Sequence, residues 1–441
     1  KNMSLNSMFY ANSVAVVGAS KDPKKLGYTV LKNMIDGGYK GEIYPINPKL
    51  DEILGIRAYP GLLNVEGEVD LAVVIVPAKA VASVMEDAGK KGIKNAIIIS
   101  GGFRETGEEG EALERQVLEV ARKYGIRILG PNCQGINYTY NSLCASWPLI
   151  TRRGPMAIIS QSGTVGAAFE GWAEDEGIGF SAFVSLGNKA DIDELDLIEF
   201  FARDESTKVI ALYIEGVRDG KKFIEVARNA RKPIVVLKPG KTEKARQAVQ
   251  SHTKSIAGRD EIFSAACKQA GMKRADNLLE LYDCSKALGF LSRLGGRNVL
   301  IVTSSGGSGI LATDMLESHG FRVIDSKPEF KAKLRSMLPA HCIVDNPIDL
   351  TGDANAEMYE KVLQASIGEE AIDAFLVIFG DPIAGSCEAI DRIRRKTEKP
   401  VVVCYLGGGE IEKIESRKMH GLGIPVFPTP ERAVSAFKAL R

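Results

Sequence analysis

Three short segments in the middle of the chain carry residue types suited to handling a phosphoryl group. Ser160-Gln161-Ser162-Gly163-Thr164 follows the apolar run Met156-Ala157-Ile158-Ile159 and precedes the helical pattern VGAAFEGWAEDEG. Hydroxyls, free backbone N–H groups and the positive end of a helix converge there, a setting that favours an anion. A hydroxyl-rich helix cap alone would read the same way. Glu215 closes the strand-like run VIALYIEG, which puts a carboxylate at the same sheet edge. So placed, it needs a neighbour that donates a proton or gains positive charge, as an imidazole does near neutral pH. His252, in AVQSHTKSIAGRDEIF, is flanked by Ser251, Thr253 and Ser255; these small polar neighbours predict a loop between two helical stretches. His319, His341 and His420 lack a comparable setting and read as structural.

A second group of candidates lies in the first third. Gly18-Ala19-Ser20 ends the run VAVV and leads to a helix over about 26–35, the arrangement that offers backbone N–H groups to phosphates at the carboxyl edge of a parallel sheet. A dinucleotide fingerprint needs G-x-G-x-x-G and an acid about twenty residues on, and neither is present. Lys21, Lys24, Lys25 and Lys49 instead supply positive charge around two strand ends. A nucleotide with additional phosphate suits that charge, and coenzyme A, with its 3′-phosphate and pyrophosphate, meets the description. Val76-Pro77-Ala78 and Ser100-Gly101-Gly102 add two further strand ends, and Asn132 lies in the turn GPNCQG that ends the last strand of this region. Cys133 is a weak candidate nucleophile, because no histidine precedes residue 252 to activate it.

These residues need a scaffold that brings strand ends together. VAVVGAS, MAIISQSGTVGAA and NVLIVTSSGGSGILA each join a β-branched run to a glycine-containing turn and a helical pattern, and each opens one third of the 441 residues. Continuous Val/Ile runs alternating with charged helical stretches predict parallel sheets covered on both faces. The breaks WPLITRRGP and SRLGGRN divide the chain into 1–147, 148–292 and 293–441, and the second and third openings align as a weak internal duplication. With 57 Lys+Arg against 56 Asp+Glu the net charge is +1, so no overall field draws the chain to nucleic acid or an anionic membrane. The seven cysteines are scattered and never in C-x-x-C spacing, which supports neither a disulfide framework nor a zinc site. No apolar run approaches the length of a membrane span, and a cytoplasmic location is expected.

Taken in order, GAS, NPK, VPA, SGG, GPNCQG, SQSGT, SLGNKADID, YIEG and SHTKSIAG resemble the NDP-forming acyl-CoA synthetases, the superfamily that includes succinyl-CoA synthetase. The likeness is greatest to the α subunit of the ADP-forming acetyl-CoA synthetases. It implies a Rossmann-like CoA-binding domain followed by two flavodoxin-like domains. Lys49, Ile99, Ser100 and Gly101 fall where the family contacts coenzyme A, beside Gly18 to Ser20. The resemblance also implies that His252 is transiently phosphorylated, that Glu215 orients its imidazole, and that Ser160, Ser162, Gly163 and Thr164 bind the phosphoryl group, with Gln161 in the same turn. Phosphate would displace coenzyme A from an acyl thioester, and His252 would attack the resulting acyl phosphate to release the carboxylic acid.

The chain lacks a G-x-x-x-x-G-K-[ST] loop. The resemblance therefore implies a separate ATP-grasp β subunit holding ADP or ATP with Mg2+, in an α2β2 hetero-oligomer. Lys254 departs from the family, which has glycine after His-Thr. A different class, a coenzyme-A-sensing regulatory module of the kind fused to acetyltransferases, is disfavoured because His252, Glu215 and the SQSGT turn are all retained. No acetyltransferase domain is expected after Arg441. The acyl group is left open between acetyl, branched-chain, aryl and succinyl.

Overall fold

A strand with helices on both sides of its sheet has no solvent face, so it can be apolar at every position. In the computed structural model, which describes residues 5–253 and 259–441 with the side chains of 251–253 excepted, the strands Ser13–Val17, Leu71–Val74, Phe180–Ser185, Ala374–Phe379 and Val401–Tyr405 are buried along their whole length. They belong to three mainly parallel sheets built to one plan. The first places Glu42–Ile46, Ser13–Val17, Leu71–Val74, Asn95–Ile98 and Arg127–Leu129 side by side, all parallel. The second runs Phe180–Ser185, Arg153–Ser160, Val209–Tyr213, Ile234–Leu237 and Lys273–Arg274, again parallel. The third runs Ile348–Asp349, Val299–Thr303, Ala374–Phe379, Val401–Tyr405 and Val426–Phe427.

In each sheet the parallel strands stand in the order second, first, third, fourth, fifth, the doubly wound arrangement expected. Connections leave the first and third strands in opposite directions, and the crevice between those two strand ends is where ligands bind in such sheets.

The second sheet has an addition that periodicity did not disclose. The hairpin Gly135–Tyr138 and Leu143–Ser146 pairs antiparallel with Phe180–Ser185, extending that sheet to seven strands. The chain therefore leaves the first sheet at Leu129, passes through Gly130–Gln134, and immediately joins the second. Asp191 fastens the junction from the other side: its carboxylate accepts bonds from Arg127 Nε at 3.0 and 3.1 Å and from the Ile128 amide at 2.8 Å.

Two compact units result. One runs up to Trp172 and includes Gly179–Arg274, holding the first two sheets; the other comprises Ala173–Ile178 and Ala275–Arg441. Within the latter, helix Leu278–Phe290 packs along helix Pro430–Leu440, and Asp283 accepts two 2.8 Å bonds from Arg432. Lys286 is fully buried there between Glu176, at 3.1 Å, and the Val426 carbonyl, at 2.6 Å. Among the described residues no helix is long and apolar enough to cross a membrane.

Candidate functional site

At the carboxyl edge of the first sheet, five strand ends deliver the residues expected to hold a nucleotide. Gly18 has φ +93°, and a Cβ there would lie 2.1 Å from the Ile75 carbonyl oxygen. Only glycine fits this turn. A Cβ on Gly27 would come within 2.0 Å of the Gly18 oxygen, so helix Leu26–Asp36 lies against the turn itself. The Asn47 side chain donates to the Ala19 carbonyl at 2.8 Å and its oxygen accepts from the Lys49 amide at 2.9 Å, tying the second strand end to the first. Lys24, Lys25 and Lys49 are exposed at this rim, Val76 is partly buried, and Pro77 caps the helix Ala78–Lys91. Ile99 is buried, and Ser100 accepts from the Asn132 amide at 2.9 Å.

The SGG turn is less open than its glycines suggest. Glu105 Oε1 accepts from the amides of Gly102 and Phe103 at 2.6 and 3.0 Å, while Oε2 accepts from Asn188 Nδ2 at 2.6 Å. Burial opposes charge on this carboxyl, but the bonds from Asn188, Phe103 and Gly102 prevail and hold it below the usual carboxylate range. Those two amides are therefore occupied from within the chain.

The second sheet forms the cradle where the spacing placed it. Ser160 ends its strand opposite Tyr213, and helix Gly163–Glu176 begins three residues later. Ser160 Oγ donates to the Ser162 carbonyl at 2.5 Å, and the Ser162 and Thr164 hydroxyls lie 3.1 Å apart. The Gln161 amide donates to the Tyr213 carbonyl at 2.9 Å, while Gln161 Oε1 accepts from the Glu215 amide at 2.8 Å. Glu215, buried, is thus pinned beside the cradle at the sheet's switch point. The Tyr213 hydroxyl is pushed above its usual range by burial first and the Glu215 carboxylate second.

Lys189 secures the other side of Glu215. Its ammonium, buried, donates to Glu194 Oε2 and to the Gly216 carbonyl, each at 2.8 Å, and Arg218 in turn donates to the Lys189 carbonyl. Lys189, Asn188 and Glu105 were not among the candidates read from the sequence. The SLGNKADID segment was noticed, but its residues acquire a role only once its loop lies against Gly130–Asn132, through the bonds Asn188 N to Pro131 O at 2.8 Å and Ala190 N to Gly130 O at 2.9 Å.

His252 requires a correction. Its backbone lies in the last turn of helix Glu243–Thr253, where a loop was expected. The preceding EKARQAVQ is rich in strong helix formers, and three final residues of middling propensity cost too little to stop the helix. The His252 side chain, and Lys254 and Ser255 altogether, lie outside the described residues. Of the other histidines, His319 bonds its own helix, His341 pairs with Asp353 at 3.0 Å on the surface, and His420 is buried with both ring nitrogens bonded.

The two edges meet in one cavity of about 480 Å³, bounded on one side by Ile99, Asn132 and Cys133 and on the other by Gln161–Thr164, with Trp147, Ser185 and Asn188 between them. Cys133 forms part of this wall, but burial pushes its thiol up to about 12. It stays protonated and bonds the Ile98 carbonyl at 3.4 Å, which rules it out as a ready nucleophile. Among the described residues no three His, Cys, Asp or Glu side chains come together as a metal site.

The first region, residues 12–139, matches a CoA binding domain; residues 153–288 match a succinyl-CoA ligase like flavodoxin domain; and residues 299–439 match a ligase-CoA domain. The α subunit of acetate–CoA ligase (ADP-forming) I from Pyrococcus furiosus is 44% identical over 99% of this chain and 97% of its own length. This chain belongs to the NDP-forming acyl-CoA synthetase family. Acetate–CoA ligase (ADP-forming) I from Archaeoglobus fulgidus is 40% identical over 99% of the chain, which spans 63% of that longer protein. The dinucleotide forming acetyl-coenzyme A synthetase 1 of Candidatus Korarchaeum cryptofilum, solved in complex with phosphate and ADP, superposes with a TM-score of 0.92 at 38% identity, covering 99% of this chain and 96% of that one. The family's arrangement of a CoA-binding region before flavodoxin-like ones is thus the arrangement found here.

Proposed function

We propose that this chain is the α subunit of an NDP-forming acyl-CoA synthetase, acting reversibly on acyl-CoA, phosphate and ADP to give a carboxylic acid, coenzyme A and ATP. The observation that carries the proposal is the single cavity shared by the two sheet edges. One wall comes from the strand ends suited to coenzyme A, and the other from a helix N-terminus suited to phosphate. Gly18, Ala19, Ser20, Lys24, Lys25, Lys49, Val76, Pro77, Ile99, Ser100, Gly101 and Asn132 would hold the nucleotide and its arm. In the cavity, phosphate attacks the thioester carbonyl, and the C–S bond breaks to leave acyl phosphate and coenzyme A.

His252 then attacks the phosphorus, the P–O bond to the acyl group breaks, and the carboxylate departs. Glu215, held by Gln161 on one side and by the Lys189-bonded Gly216 carbonyl on the other, orients the imidazole and balances its positive charge. Ser160, Gln161, Ser162, Gly163 and Thr164 receive the phosphoryl group against the helix N-terminus. The second half-reaction passes the phosphoryl group to a nucleoside diphosphate on a partner subunit of ATP-grasp type, in an α2β2 assembly, where Mg2+ would neutralise charge on the nucleotide phosphates. The acid released is a small carboxylic acid.

The test combines the chain with its partner subunit, an acyl-CoA and labelled phosphate. Acid-labile, base-stable label on the chain is expected, and none in His252→Ala. Label persisting unchanged in that variant overturns the mechanism.

A further inference from the structure

Gln134 faces the shared cavity and has no part in the scheme above. Its backbone is fixed from two directions: the amide donates to Ser185 Oγ at 3.0 Å, and the carbonyl accepts from Ser146 Oγ at 2.6 Å. The side chain is thereby laid over the start of the cradle helix, so closely that a Cβ on Gly163 would lie 2.4 Å from its Nε2 and 2.6 Å from its Cδ. Its carbonyl oxygen is closed off from solvent and has no hydrogen-bond partner among the described residues. Sequestering an acceptor in this way costs free energy that a bound donor would restore. The last side-chain bond of glutamine has a broad, soft torsion, so a small rotation presents the oxygen to the cavity that Gln134 lines.

The reactants differ in what they bring to such an acceptor. Acyl phosphate and carboxylate carry acceptors only; inorganic phosphate carries an O–H as well, but its charged oxygens are drawn to the N–H groups of the adjacent helix. Donors lie at the end of the coenzyme A arm, as the thiol S–H and the nearest amide N–H. Cys133 offers no alternative, because its thiol bonds the Ile98 carbonyl. We propose that Gln134 is a substrate-contacting residue whose side-chain carbonyl accepts a hydrogen bond from the thiol end of coenzyme A, orienting the sulfur toward the Gly163 cradle. This rests on the coenzyme A reading of the first sheet edge.

The experiment is titration of the full chain with coenzyme A, desulfo-coenzyme A and inorganic phosphate, in wild type, Gln134→Met and Lys49→Ala. The near-isosteric Gln134→Met removes the stranded oxygen. It should raise the melting temperature of the ligand-free chain by a degree or more while weakening coenzyme A about tenfold, with phosphate binding unchanged. If the S–H is the donor, desulfo-coenzyme A binds wild type as weakly as coenzyme A binds the variant; if the amide is the donor, both ligands bind wild type alike and both weaken. Unchanged coenzyme A affinity in Gln134→Met, with Lys49→Ala still weakened, overturns the proposal. So does a loss confined to phosphate. Unchanged affinity in both variants instead overturns the coenzyme A reading itself. Should Gln134→Met not fold, Gln134→Asn, which withdraws the amide by one methylene, carries the same comparison.

Discussion

The switch points of the second and third sheets are built from nearly the same local sequence and end up chemically different. After Val299–Thr303, Ser305 accepts from the Ser308 amide at 3.4 Å and caps helix Gly306–Ser318, and Ser304 Oγ accepts from the Gly380 amide at 2.9 Å. Asp349 stands against the positive helix end, close enough that a Cβ on Gly306 would meet its Oδ2 at 2.8 Å. That turn is closed by its own residues. After Arg153–Ser160, by contrast, the atoms nearest a Cβ on Gly163 are those of the Gln134 amide, which carries no charge and whose oxygen has no partner among the described residues. A serine–glycine turn before a helix is therefore a property of the fold, and the two turns differ in whether a carboxylate or a neutral amide lies directly against the first helical glycine.

The largest expected effect concerns two buried, ion-paired lysines, Lys189 in one unit and Lys286 in the other. Lys189→Met strands Glu194 and Lys286→Met strands Glu176, and each should lose about 3–5 kcal/mol in urea unfolding. Only Lys189→Met should also slow phosphoryl transfer, since its ammonium holds the Gly216 carbonyl beside Glu215. Equal slowing by both would erase the distinction.

His420 gives the next effect. Burial first, and the nearby Lys286 charge second, hold its imidazole down to about 4. The Val426 amide donates to Nε2 at 3.0 Å, so Nδ1 carries the proton bonded to the Glu176 carbonyl at 2.9 Å. A folded-state value below the unfolded one favours the neutral form. The stability it contributes is complete above about 6.5 and is lost as pH falls toward 4, by up to roughly 3 kcal/mol. Urea midpoints measured across that window should fall in wild type and flatten in His420→Gln.

Gly163→Ala should follow, with turnover reduced about a hundredfold as the Gln134 amide is driven off the cradle, whereas a Cβ on Gly307 meets nothing within 4 Å and Gly307→Ala should melt as wild type. The smallest effect belongs to Ser305→Ala, which removes a helix cap and should cost about 1 kcal/mol by thermal unfolding. A neutral result there would mean the third turn is less self-contained than its bonds indicate.

What could be read in advance follows from range. The strands, the cradle and Glu215 depend on residues within about ten positions of one another, and apolar runs ending in small residues report them directly. The positions of Lys189 and Asn188 depend on the loop after Phe180–Ser185 meeting Gly130–Asn132, fifty or more residues earlier. No local pattern encodes that encounter. Gln134 was visible in GPNCQG, but its stranded oxygen exists only because the following hairpin crosses to the second sheet. His252 stands out in the sequence by its small polar neighbours, and the family resemblance adds its role, while its place at a helix end follows from the propensity of the residues before it.

That hairpin also constrains motion. Because Gly135–Tyr138 hydrogen-bonds to Phe180–Ser185 while Arg127–Leu129 belongs to the first sheet, only five residues separate the two ladders, and the Asp191 bonds to Arg127 and Ile128 clasp the joint. A hinge between the two sheets would have to break those bonds. The cavity between the two sheet edges therefore has its width set by backbone pairing and by these side-chain bonds rather than by whatever fills it.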